Sequence, residues 1–252
     1  LLNVGAGVFF IHPFKTGGTS IYELLTRHVD AARVLPFDAF EAPFEHIAPA
    51  RWLKVAPTMA RRYDFIGGHI PAAAELAKVL RATGGFRVAV ALRSPVDRVI
   101  SRYHHLRRTP DPDYKGAPAA QRALIDETRQ LPVEALPESA NELVRFNFSN
   151  HQVRMLAGVR HDPGEAELQR SIEVLRGAEL LFITEAMGPS FWLAARELGI
   201  RPPPVPTRLN VGDYEAVDAA VADRLKAANA LDAVLYEEAL RIFGERLGRL
   251  AG

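Results

Sequence analysis

The sequence predicts an α/β protein: a three-layer sandwich in which helices cover both faces of a central parallel sheet. Three observations carry that prediction. Short apolar runs at 8–12, 63–67, 86–92 and 180–184 alternate with segments of helical spacing, the order expected of parallel strands joined by helical crossovers. The first run enters a glycine loop that opens at once into a helical pattern. At 252 residues and 48% hydrophobic, the chain can fill one sizeable core. Residues 1–252 therefore read as one domain, with a largely helical subregion around 104–178. Ligands of such sheets bind at the carboxyl ends of the strands.

Taken in order, Val8–His12 is the first strand and Gly18–His28 the helix after it. Residues 31–62 are mixed, because Pro36, Pro43, Pro49 and Pro57 are expected to interrupt any long element. Tyr63–Gly67 reads as a short strand that runs out at Gly68-His69. Ala72–Arg81 is helical and closed by Thr83-Gly84-Gly85. Phe86–Leu92 is the clearest strand, followed by Arg93 and a helix from Pro95 to about Arg107, with proline well placed in its first turn. Thr109–Pro118 is polar and proline-rich and reads as a mobile loop. Helical patterns run on to Gly158 and again from Gly164 to Arg176. A strand at Leu180–Thr184, a helix at Ser190–Leu198, a proline stretch at 202–206 and two helices from Asp213 complete the chain.

The segment Val8-Phe9-Phe10-Ile11-His12-Pro13-Phe14-Lys15-Thr16-Gly17-Gly18-Thr19-Ser20 carries the first chemistry. Strand, tight glycine loop and helix is an arrangement that binds phosphate. The free N–H groups of the helix start face the anion, and the helix dipole adds roughly half a positive charge there. Lys15 supplies a full charge, and Thr16, Thr19 and Ser20 carry further donors. The loop is not a Walker A sequence, because Lys15 precedes the glycines instead of following them. A second segment, Arg93-Ser94-Pro95-Val96-Asp97-Arg98-Val99-Ile100-Ser101-Arg102-Tyr103, leaves the end of the clearest strand. Its arginine can fork onto a phosphate, and positions 94, 97, 98 and 101 fall near one helical face. Arg98, Arg102, Arg107 and Arg108 together make a basic helix, which an acidic acceptor or extra cofactor contacts could use but which reads first as a solvated face.

Composition excludes several classes. With no cysteine there are no disulfides, thiol nucleophiles or cysteine metal sites. A net charge of +1 gives no global field for nucleic acid or membrane, so no nucleic-acid partner is expected. No apolar run approaches the roughly 18 residues of a membrane span, and the first residues lack the character of a secretion signal. The expected location is cytoplasmic. The chain opens on Leu1, not methionine, which fits removal of an upstream piece. Asn147-Phe148-Ser149 matches a glycosylation sequon, to which no weight is given without a secretion signal.

Together the two segments resemble the sulfotransferases that use 3′-phosphoadenosine-5′-phosphosulfate (PAPS), most closely the branch of heparan sulfate and dermatan 2-O-sulfotransferases and their bacterial relatives. The resemblance implies that Lys15, Thr16, Gly17, Gly18, Thr19 and Ser20 bind the 5′-phosphosulfate in a P-loop-like strand-loop-helix. It implies equally that Arg93 and Ser101 bind the 3′-phosphate. Ile66-Gly67-Gly68-His69 is similar to the family's Gly-His segment, whose histidine is the catalytic base. Asn150-His151-Gln152 through Leu156-Ala157-Gly158, Ile183-Thr184-Glu185 and Leu209-Asn210 match later landmarks. Arg208 and Asn210 follow a proline-rich loop and are expected to close over the adenine and 3′-phosphate. Two features of the animal members, a membrane anchor and disulfides, have no counterpart in this sequence.

The implied reaction is in-line sulfuryl transfer to an acceptor hydroxyl on a glycan, lipid or small metabolite, with Lys15 and His69 as catalytic groups and no metal required. The transferred group carries less charge than a phosphoryl group, and neutral imidazole suits a base near pH 7. His12 is the rival base, since it too sits at a strand end beside the loop, and its alternative role is to orient Pro13–Lys15. His46 is a third candidate. His28, His104, His105, His151 and His161 show no metal-ligand spacing. Glu185 either positions the acceptor or makes a core-edge hydrogen bond. Two other functions stand beside transfer: a nucleotide kinase or triphosphatase, which would need magnesium and a carboxylate where Arg93 stands, and a noncatalytic nucleotide-binding module.

Overall fold

A computed structural model describes residues 7–35, 49–70, 73–201 and 217–251. Within them the chain is α/β, built on a four-stranded, wholly parallel sheet. The strands are β1 (Val8–Ile11), β2 (Phe65–Gly68), β3 (Arg87–Leu92) and β4 (Leu180–Ile183), in spatial order β2-β1-β3-β4. All four apolar runs of the sequence are thus strands, trimmed by a residue or two at their ends.

Strand residues alternate between two cores, as the two-residue period of a strand requires. Phe9, Ile11, Val88, Val90, Leu92, Leu181 and Ile183 face one side. There they meet Trp52 and Ala56 of α2 (Pro49–Arg62), Leu76 and Leu80 of α3 (Ala73–Gly84), Val153 of the later helix His151–Ala157, and Leu235 and Phe243 near the C-terminus. Val8, Phe10, Ala89, Ala91 and Phe182 face the other side, against Ile21, Leu24 and Leu25 of α1 (Gly18–Thr26). Helices therefore cover both faces of the sheet. A third cluster, separate from the sheet, joins α4 (Pro95–Arg107) to Leu124, Ile125, Leu136, Val144 and Phe148 of the helical subregion.

Two expectations are corrected. The mixed segment 31–62 contains α2, which runs through Pro57 without breaking. The apolar stripe of Trp52, Leu53, Ala56, Met59 and Ala60 packs on the sheet, and that burial outweighs the lost N–H of the proline. The polar segment expected as a mobile loop holds a short helix, α5 (Asp111–Gly116). Its proline and two aspartates lie in the first turn, where both suit a helix start. The Tyr114 hydroxyl ties it to Asp126 at 2.9 Å on α6 (Ala119–Gln130).

The remaining helices are α7 (Glu142–Phe148), α8 (His151–Ala157), α9 (Glu165–Arg176), α10 (Met187–Glu197), α11 (Ala219–Ala228) and α12 (Ala230–Ala251). One consequence of the strand order sets up the site. The chain leaves β1 to one side for β2, then returns past β1 to β3, so connections diverge between β1 and β3. That divergence opens a crevice at the strands' carboxyl ends.

Candidate functional site

The loop after β1 is shaped by two left-handed residues, Lys15 at φ 70° and Gly17 at φ 80°. Glycine takes this conformation freely, whereas lysine does so at a cost of about 1–2 kcal/mol. The turn is pinned by the Thr16 hydroxyl, which donates to the Pro13 carbonyl at 2.9 Å. This corrects one expectation: the buried Thr16 side chain is spent on the turn, leaving only its amide for a ligand. No acceptor among the described residues takes the backbone N–H groups of Lys15 through Ser20. The hydroxyls of Thr19 and Ser20 sit on the first turn of α1. The close approach of α1 to the loop requires glycine at 18, because a Cβ there would lie 1.8 Å from the His12 ring.

Across the crevice, Arg93 leaves β3 with its backbone held on both sides. Its N–H donates to Gln152 Oε1 and its carbonyl accepts from Gln152 Nε2, both at 2.9 Å. Glu185 takes the next amide, Ser94, at 3.0 Å, and the Tyr236 hydroxyl at 2.8 Å, so it acts as a hydrogen-bonding brace of this turn. The Arg93 guanidinium then donates to the Lys15 carbonyl at 3.3 Å. The two segments singled out in the sequence therefore touch. Burial, followed by the charges of Arg102 and Arg93, lowers the Lys15 pKa.

The basic helix is not the solvated face expected of it. Arg98, Ser101 and Arg102 are buried, and only Arg107 and Arg108 are exposed. Val99 and Leu106 bury one flank of α4 in the third core cluster, and Arg98, Ser101 and Arg102 follow round the adjoining flank, where α7 and α12 pack. Arg102 donates to Asn147 Oδ1 at 2.9 Å and lies over the Phe14 ring at 4.2 Å. Asn147 is consequently a buried hydrogen-bonding residue, not an exposed glycosylation acceptor.

Phe14 lies in a line of rings. His69 lies against it at 3.8 Å between centroids and against His12 at 4.1 Å, and His151 stacks on Phe14 from the other side at 5.2 Å. His69 Nδ1 donates to the His12 carbonyl at 2.9 Å, which leaves Nε2 as the basic nitrogen. His151 Nδ1 donates to the Phe146 carbonyl at 2.8 Å and its Nε2 accepts the Phe14 N–H at 3.2 Å, so this ring is committed to holding Phe14. Burial is the first cause keeping all three neutral: His12 falls to about 3, and His69 and His151 lie well below the usual imidazole value. His12 is 4% exposed and wedged under Gly18, a packing position. On α4, His105 is held down to about 4, first by desolvation, then by Lys15 and Arg102.

Lys15, Arg93, Ser101 and His69 are thus gathered at one end of the sheet with the loop 15–20. Arg208, Asn210 and His46 lie outside the described residues. Sequence reading missed Phe14 and Asp232 as parts of the site, and it ranked a solvated face above a site role for Arg98 and Arg102, although the i, i+4 spacing of Ser94, Arg98 and Arg102 was the available signal. Among the described residues, no group of three or more His, Asp or Glu side chains is arranged to hold a metal, and no helix is long and apolar enough to cross a membrane. No protein-family model matches the chain, and no curated protein matches it either.

Proposed function

We propose that this chain is a sulfotransferase that moves a sulfuryl group from PAPS to an acceptor hydroxyl. The observation that carries the reading is the direct link between two anion-binding segments: Arg93 at the end of β3 donates to Lys15 in the loop after β1, at the divergence of strand connections. A two-phosphate nucleotide needs two such donor sets side by side. The residues present fit it: six loop amides with no acceptor among the described residues, a lysine, and the arginines of α4's start.

Lys15, Thr16, Gly17, Gly18, Thr19 and Ser20 would hold the 5′ end, chiefly through backbone N–H groups, while Arg93 and Ser101 would hold the 3′-phosphate. When bound, the donor supplies a sulfuryl group already attached to a good phosphate leaving group. Lys15 holds positive charge in a site shielded from water, where such charge is worth more than in solution. His69, its tautomer fixed by the His12 carbonyl, presents Nε2 to accept the proton of the acceptor hydroxyl. Phe14 and His12 clamp the imidazole plane from two sides, which keeps the base aimed.

The test is calorimetric binding of 3′,5′-adenosine bisphosphate beside 5′-AMP and magnesium-ATP. Micromolar binding of the bisphosphate without metal, and much weaker binding of 5′-AMP, is the expected result. A preference for magnesium-ATP would overturn the proposal in favour of a kinase or triphosphatase.

A further inference from the structure

Two buried arginines in this protein are handled in opposite ways. Arg154, 1% exposed, is fully engaged: its guanidinium donates to the carbonyls of Ser149, Arg160 and His161 and pairs with Asp162. Arg98 is 0% exposed, and none of its three nitrogens has a hydrogen-bond partner among the described residues. Leaving a buried cationic donor unpaired is costly, and native folds rarely tolerate it without a ligand or water in place.

The surroundings of Arg98 explain how it stays charged with its donors unused. Asp232 is near enough to raise its pKa, yet the two make no ion pair within contact distance. Both Asp232 oxygens are occupied by the start of α8, accepting the N–H groups of Gln152 at 3.1 Å and Val153 at 2.8 Å. Asp232 thus supplies a counter-charge without consuming the guanidinium. The other charged and titratable neighbours are Arg93, Arg102 and His151, none of which can accept from a cation while themselves charged or committed. Arg98 shares the inward face of α4 with Ser94 and Ser101, and the buried Ser101 makes no hydrogen bond among the described residues.

We propose that Arg98 forms the deep wall of the second anion site and makes that site selective for a phosphate dianion, engaging an anionic oxygen directly or through one water. The proposal rests on the two-anion reading above and adds the residue that rewards the second phosphate. It assigns the discrimination between a nucleoside bisphosphate and a monophosphate to Arg98 as well as Arg93.

The test uses the whole chain and the Arg98 side-chain Nε–H signal in nuclear magnetic resonance, titrated with inorganic phosphate and with 3′,5′-adenosine bisphosphate. Both should shift it. In parallel, Arg98→Met, which keeps the side-chain length and removes the charge, should weaken bisphosphate binding by about 10- to 100-fold, as expected for losing charge-assisted hydrogen bonds. Its 5′-AMP binding should stay within about twofold. Without ligand, the variant should unfold no earlier than the parent, since a buried unpaired charge has been removed. If inorganic phosphate moves the Nε–H signal but the bisphosphate does not bind, the sulfuryl-donor reading fails and the Arg98 site stands. A signal that neither ligand moves, or unchanged bisphosphate affinity in Arg98→Met, overturns the Arg98 proposal and leaves the donor reading intact. Should the variant not fold, the titration of the parent protein decides alone.

Discussion

Gly18→Ala is a one-methyl change that the geometry makes severe. The new Cβ would fall 1.8 Å from Cδ2 and 1.9 Å from Nε2 of His12. Carbon contacts are comfortable at about 3.5 Å, so the ring must retreat by about 1.7 Å. It has nowhere to go, being stacked on His69 at 4.1 Å and edge-on to Phe10 at 5.1 Å. Overpacking of this kind costs about 1–3 kcal/mol, and a displaced ring belongs at the upper end. Alanine in place of glycine in a helix returns about 0.5–1 kcal/mol. The expected net loss is about 2 kcal/mol, read as a drop in the urea midpoint with unchanged slope. The same change in a His12→Ala background should stabilise by about 0.5–1 kcal/mol, because the obstructing ring is gone and only the helix gain remains, which gives a coupling between the two sites of about 3 kcal/mol. An unperturbed Gly18→Ala protein, or equal costs in both backgrounds, would refute the contact between helix start and histidine.

Lys15→Gly should separate stability from activity: it relieves a left-handed lysine and leaves the fold as stable or up to about 1 kcal/mol more so. Sulfuryl transfer should meanwhile fall by about 100-fold or more, and retained turnover in a continuous assay would remove Lys15 from the chemistry. Acid should destabilise the protein early. His12 and His151 are neutral when folded, their pKa values depressed by burial, and regain protons near pH 6.5 when unfolded. Stability is therefore full above pH 6.5 and falls below it, by about 1.4 kcal/mol at pH 5.5 for His12, with His151 acting in the same direction. Denaturation curves at pH 7.5 and 5.5 should differ by at least about 1 kcal/mol, the part due to His12 alone; no difference would mean that the His12 ring is protonated when folded.

The strands and the loop after β1 were legible because their signals are local. A continuous apolar run followed by Lys15-Thr16-Gly17-Gly18 specifies strand, left-handed turn and helix start within a dozen residues. Arg93 was legible for the same reason, standing at the end of the strongest strand. What the sequence hid depends on contacts far along the chain. Arg98 and Arg102 carry the most polar of side chains, and nothing local says that helices packed on both flanks of α4 bury them. The Gln152 clamp on Arg93 spans 59 residues, and Asp232 meets α8 from a helix 80 residues on. Pro57 misled for a related reason: propensity marks it as a breaker, while the helix around it is held by packing on the sheet.

The charge balance of the site follows from where its carboxylates are spent. Lys15, Arg93, Arg98 and Arg102 converge near the ends of β1 and β3, and among the described residues Asp232 and Glu185 stand close to them with the opposite charge. Asp232 is engaged by the N–H groups of α8, and Glu185, whose Oε1 lies 3.9 Å from Arg93 Nε, gives its hydrogen-bonding capacity to Ser94 and Tyr236. They position the cations without quenching them. A chain of net charge +1 can thus hold a strongly positive pocket, because neutrality is achieved over the whole surface and not within the site. On the proposed function, the arrangement stores electrostatic free energy that a bound anion would release. The unliganded protein should accordingly sit below the stability of its phosphate-bound form, and the difference should grow with ligand concentration as mass action requires.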